Sequence, residues 1–235
     1  STPCGTLFPY TTLFRSIILP ALIACLFAAW QPSIARAADE NVQLWVIGSV
    51  RTDFGARTGA TLDGSIRLRE DPRGGEERTI RLTMEREIAA GVVIGGGGGI
   101  WEAAGGATEI RPHQQITLAR GGLSARTRLE QRFLDGAPRM EMRFRQRLGY
   151  AHAFTARTRA SVDGEWLHLV RTRDPAGPQN RDQWRARLAL DHVVFERGRG
   201  RRLTVGIAYL AIYDERAERR ARYAHVPQVS IDWRF

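Results

Sequence analysis

The residues best equipped for chemistry in this chain are arginines and carboxylates set at every second position. Ser124, Arg126, Arg128, Glu130 and Arg132 share one parity, against Leu123, Ala125, Thr127, Leu129, Gln131 and Phe133 on the other. Arg139, Glu141, Arg143, Arg145 and Arg147 repeat the pattern against Met140, Met142, Phe144, Gln146 and Leu148. Arg157, Arg159, Asp163 and Glu165 extend it, and Arg185, Arg187 and Asp191 alternate with Trp184, Ala186, Leu188 and Leu190. A guanidinium is a planar, permanently charged fork that pairs bidentately with a carboxylate or a phosphate. Such rows can interlock with acidic side chains on neighbouring strands. Because Arg outnumbers Asp and Glu in them, they can also hold an anion.

Spacing decides which element carries the rows. Glu, Arg, Gln and Leu are good helix formers, but helical spacing would bring Arg143 and Arg147 together and send Arg145 to another side. Period two fits every position, so these are strands. The same reading places strands near 42–53, 60–70, 78–88, 92–102, 108–119, 122–134, 139–150, 153–168, 181–195, 201–213 and 223–235. Short breakers (Ala89 to Gly91, Arg120-Gly121, Ala151-His152, Glu196 to Gly200) alternate with longer, more polar ones (Ala103 to Ala107, Asp135 to Pro138, Thr172 to Asn180, Asp214 to Arg222). That asymmetry is expected of an outer-membrane β-barrel.

The fold class is therefore all-β, an antiparallel up-and-down transmembrane barrel. The eleven segments conflict with the even strand number of single-chain bacterial barrels. Ten strands are expected, with the first segment outside the wall, or twelve if two have been merged. An Arg at the bilayer midplane costs roughly 2–4 kcal/mol, so the charged rows must line the lumen. Gln131 and Gln146 on the other face are tolerable near the two interfaces. Trp45, Trp101, Trp166, Trp184, Trp233, Tyr150 and Tyr209 are candidates for aromatic girdles.

The ends agree with this location. Thr6 to Ser16 resembles a translated sequencing adapter, so residues 1–16 read as an assembly artefact. Residues 17–37 read as a signal peptide, with an apolar run from Ile17 and an Ala35-Arg36-Ala37 cleavage site, leaving 38–235 as the barrel. Cys25 in a lipoprotein box is a rival reading. Both cysteines, Cys4 and Cys25, fall in the removed part, which excludes disulfides and cysteine chemistry from the mature chain. The closing strand, Val229 to Phe235, ends on Trp233 and Phe235, the ending that barrel-assembly machinery typically reads. No apolar run of about 20 residues suggests a spanning helix.

The stretch Thr108-Glu109-Ile110-Arg111-Pro112-His113-Gln114-Gln115, followed by Leu123 to Phe133, resembles the domain of unknown function 2490 family. Gln179-Asn180-Arg181 and Phe235 sit where later motifs of that family fall, and the likeness covers roughly Trp45 to Phe235. The resemblance implies a bacterial outer-membrane β-barrel without an assigned biochemical activity, so it carries over no catalytic residue.

Other features invite sharper readings. Gly95 to Gly99 lacks nucleotide-binding spacing and context; it reads as a bend, or as room for bulky neighbours. His113, His152, His168, His192 and His225 form no metal-binding pair, and His192 falls on the lipid-facing parity near an interface. His168 with Ser161, or His113 with Ser124, could form a hydrolase dyad. The net charge of +10, carried entirely by Arg, and the basic stretches Arg197 to Arg202 and Glu215 to Arg222 would suit nucleic acid elsewhere. On a barrel rim they suit lipid phosphates, lipopolysaccharide included. No nucleic-acid partner, cofactor or metal is expected. The leading expectation is a non-enzymatic outer-membrane barrel with its lumen filled by an Arg/Glu/Asp network. A small anion-selective pore and a lipid-modifying enzyme are the alternatives.

Overall fold

The computed structural model describes residues 39–69, 75–176, 182–198, 200–215 and 221–235. The adapter-like segment, the signal peptide and Gln179-Asn180-Arg181 lie outside them. So do parts of both basic stretches, Arg199 and residues 216–220. The described strands belong to one compact unit, Ala38–Phe235. They are β1 (Asp39–Asp53), β2 (Thr58–Arg69), β3 (Gly75–Ala89), β4 (Val92–Ala103), β5 (Thr108–Ile110), β6 (His113–Arg120), β7 (Leu123–Leu134), β8 (Glu141–Ala153), β9 (Thr158–Arg171), β10 (Asp182–Arg197), β11 (Arg201–Asp214) and β12 (Arg222–Arg234).

Apart from β5 and β6, each strand pairs with the next in the chain, and β1 pairs with β12, so the sheet closes on itself. β5 and β6 share one place in the wall between β4 and β7. They are split at Arg111-Pro112, where proline has no N–H to give the ladder. Gly99 and Arg111 still exchange backbone hydrogen bonds at 3.1 and 2.8 Å across the break. The wall therefore has eleven positions, and the first segment is part of it, against the expectation of an even number. In an up-and-down wall an odd number leaves the first and last strands pointing the same way. The closing pair must then be parallel, and it is, from Asp39 opposite Arg222 to Arg51 opposite Arg234. All other pairs are antiparallel.

Connections alternate in length as the sequence suggests, with turns at one end and loops at the other. Gly121 and Gly122 form a two-residue turn with φ of +59° and +87°, the left-handed pair that a type I′ hairpin requires. One boundary moves: β8 runs through Ala151-His152 to Ala153, and the turn follows at 154–157. On β4, a Cβ at Gly97 would lie 2.0 Å from the carbonyl oxygen of Leu82, and one at Gly95 2.8 Å from that of Met84. Glycine at these inward positions lets β4 press against β3.

Polarity is distributed inside out. The outward faces carry Val42, Leu44, Val46, Leu62, Ile80, Leu82, Ile116, Leu148, Leu188, Ile207 and Ile231, all exposed. The buried residues include Arg128 and Glu130, each 3% exposed, together with Glu109, Glu141, Glu165 and His113. The interior is not wholly charged. Trp45, Leu210, Ile212, Ala224 and Val226 form a buried apolar cluster where β1, β11 and β12 meet.

Candidate functional site

The inward parity of β7, β8, β9 and β10 gathers the charged rows into one network. Glu130 on β7 accepts from Arg143 Nη2 and Arg145 Nη1, both at 2.6 Å. Glu165 on β9 accepts from Arg145 Nη2 at 2.7 Å and from Arg126 Nη2 at 3.2 Å. Asp163 takes Arg147 Nη2 at 2.7 Å and Arg187 Nε at 3.1 Å. Arg132 bridges Glu109 and Glu141. Arg159 and Asp191 pair at 3.3 Å near the turn end, where Arg159 is largely exposed. Strand register explains the convergence: Arg145 lies opposite Arg128 and Leu167, and Glu165 lies opposite Arg147 and Arg185. Long side chains then pair diagonally, which places cations between carboxylates.

Two residues expected in these rows lie elsewhere. Arg139 sits in the loop before β8, donating through Nε to the Thr172 carbonyl at 2.7 Å. Arg157 is exposed in the turn between β8 and β9. Both fall outside a strand, where period-two parity no longer sets direction. At the chain's end, Trp233 stacks on Phe195 with ring centres 6.0 Å apart and meets Phe235 edge-on at 5.9 Å.

Several inward residues were not foreseen. Glu109, Arg111 and His113 point inward across the Pro112 break. Arg111 pairs with Glu109 and lies 3.9 Å over the Trp101 ring. On β2 and β3, Arg81 pairs with Asp63 at 2.9 Å and Arg67 with Glu77 at 2.6 Å. Arg51 on β1 reaches Glu85 at 2.8 Å. The signal was present: Asp63, Ser65, Arg67 and Arg69 alternate with Leu62, Gly64, Ile66 and Leu68. Trp45 and Trp101, expected in girdles, are inward instead, 7% and 8% exposed. Arg67 covers the Trp45 ring at 4.1 Å, a cation–π contact that a desolvated interior strengthens.

The proposed dyads do not form. His168 lies on the outward face of β9, bonded to Asp182 at 2.6 Å, whereas Ser161 has inward parity. His113 Nε2 is 3.3 Å from Thr83 Oγ1, and Ser124 lies beside Ala119 near the far end of β6. The outward glutamines also depart from expectation. Gln131 is close to the loop end of β7, but Gln146 is mid-strand, where its carbonyl accepts the Thr127 hydroxyl at 2.6 Å. Gln131 donates to Gln114 at 3.0 Å. Pairing between neighbours, rather than position alone, engages these side chains, although Gln131 Oε1 is buried without a hydrogen-bond partner. Among the described residues no group of three or more His, Cys, Asp or Glu side chains is arranged to hold a metal.

Outside, aromatic residues collect in two bands. Near the loops, register carries one row from Trp166 to Trp184, Tyr213 and Tyr223, with Phe144 against Trp166 at 5.9 Å. Near the turns stand Phe195, Trp233 and Phe235, with His152 against Phe154. His192, also outward, is 2.9 Å from Thr158 Oγ1.

In comparisons with known proteins, residues 42–223 match the model of the family described as Protein of unknown function (DUF2490). No curated protein and no solved structure matches.

Proposed function

This chain belongs to the DUF2490 family, and from its geometry we propose that it is a barrel of the bacterial outer membrane, non-catalytic, with an interior closed by ion pairs. The observation that carries the reading is the inverted polarity. In water, so extensive an exposed apolar surface is an aggregation hazard. Against hydrocarbon it is favourable, and the buried arginines avoid a cost of roughly 2–4 kcal/mol each at the midplane.

The height of the apolar zone supports the same reading. Tyr223 and Trp233 mark the two aromatic bands on β12 and are ten residues apart. At about 3.3 Å per residue and a strand tilt of about 40°, they are separated by about 25 Å along the barrel axis. Outer-membrane barrels present an apolar band of about that height between their aromatic girdles. Outer-membrane lipids, with lipopolysaccharide on the loop side, are the partners this orientation implies.

Expressed with a signal peptide in a Gram-negative host, the protein should fractionate with outer membranes. Its gel mobility should change on boiling, because a closed barrel resists detergent until heated. Planar-bilayer conductance should stay near zero. Recovery as a soluble protein would overturn the location, and steady anion-selective current would favour a small pore.

A further inference from the structure

Charge is unevenly balanced inside the barrel. Arg51 pairs with Glu85 near the turns, and Arg111 and Arg132 with Glu109 and Glu141 near the loops, one carboxylate for each cation. At the centre, Arg126, Arg128, Arg143, Arg145 and Arg185 find their ion-pair partners, among the described residues, in two carboxylates, Glu130 and Glu165. Arg143 and Arg145 take the close positions. Arg128 Nη1 is left 3.6 Å from Glu130, and Arg185 Nη1 3.7 Å from Glu165. Both then turn to neutral acceptors. Arg128 donates through Nε and Nη2 to the Gln115 carbonyl at 2.9 and 2.6 Å, and Arg185 Nε donates to the Gln183 carbonyl at 2.8 Å. Three positive charges in excess remain inside the barrel.

An uncompensated buried charge is costly, and buried cations are ordinarily paired. We infer that the centre of the barrel binds a small multivalent oxyanion of the phosphate class, held by Arg126, Arg128 and Arg185. Such an ion supplies both the missing negative charge and acceptor oxygens suited to guanidinium forks. Access is past Arg126, on the turn side of β7, which keeps 21% of its side-chain surface open, with Arg81, Arg147 and Arg187 also partly open at 25–32%. Arg126 links that side to the centre. The inference concerns the interior alone and does not depend on where the barrel resides.

The test is a calorimetric titration of the purified, folded protein in chloride buffer free of phosphate and sulfate. Inorganic phosphate is added against sodium chloride of matched ionic strength. A second arm adds micelles containing phosphatidylglycerol and no free phosphate. Saturable phosphate binding near one per chain is expected, with a raised unfolding temperature. Arg126→Gln should weaken it at least tenfold, and Arg159→Gln at the exposed rim should leave it within twofold. Because Arg126→Gln removes a surplus charge, it should unfold no earlier than wild type in chloride while losing the gain from phosphate. Absence of binding beyond the chloride control would overturn the inference, as would wild-type behaviour of Arg126→Gln. A response to phosphatidylglycerol alone would also overturn it, by placing the anion outside the interior.

Discussion

Arg145 on β8 holds both carboxylate oxygens of Glu165 on β9, its Nη2 lying 2.8 and 2.7 Å from them. Its other arm, Nη1, reaches Glu130 on β7 at 2.6 Å. One guanidinium thus ties three consecutive strands together through the interior. Strand pairing already joins these neighbours, so the added constraint is on how the side chains are held inside the barrel.

Glu130→Gln should therefore destabilise the barrel strongly. It would take from Arg128 and Arg143 the carboxylate each now pairs with and leave Arg145 with Glu165 alone, and removing one partner of a buried pair typically costs about 3–5 kcal/mol. The measurement is the temperature at which gel mobility changes, which should fall. An unchanged transition would indicate a solvated lumen in which Glu130 is dispensable.

Adjacent residues on β10 separate the two faces. Leu188 is outward and 61% exposed, whereas Arg187 is inward beside Asp163. Leu188→Arg should impair assembly, at roughly 2–4 kcal/mol if it meets the bilayer midplane. Arg187→Leu should be milder, because Asp163 keeps Arg147. Yields of heat-modifiable protein measure both. The reverse order would invert every face assignment, since a one-residue slip exchanges the faces.

The glycine run offers a paired test of packing. Gly97→Ala drives a Cβ into the Leu82 carbonyl, whereas at Gly98 the nearest atoms are 3.9 Å away. Gly97→Ala should cost about 1–3 kcal/mol, the usual range for overpacking. Gly98→Ala should be nearly silent in the same unfolding measurement. Equal effects would mean that β4 is not pressed against β3.

Much of this architecture could be read from residues alone, and the exceptions have physical causes. In β7, β8 and β10 one parity is charged and the other apolar, so element and face were both legible. In β11, inward Leu210 and Ile212 alternate with outward Tyr209, Ala211 and Tyr213. Both faces are apolar there, and no contrast marks the buried cluster. Trp45 shares its parity with Gln43, Ser49 and Arg51. That pattern argued for an inward ring, but an aromatic side chain suits a girdle equally well. The parallel seam was implicit in the eleven segments, because a closed wall with an odd number requires it. Arg139 and Arg157 were misplaced because pleat periodicity stops at strand ends.

Tryptophan fluorescence in bilayers tests the central claim, that the outward face meets hydrocarbon and the inward face does not. Trp184 is outward and Trp45 lies under Arg67 in the interior. Two variants, each keeping one of these tryptophans and carrying Phe at the others, would be reconstituted in lipids brominated on their acyl chains. The account predicts strong quenching of Trp184 and little quenching of Trp45. Equal quenching, or stronger quenching of Trp45, would contradict it.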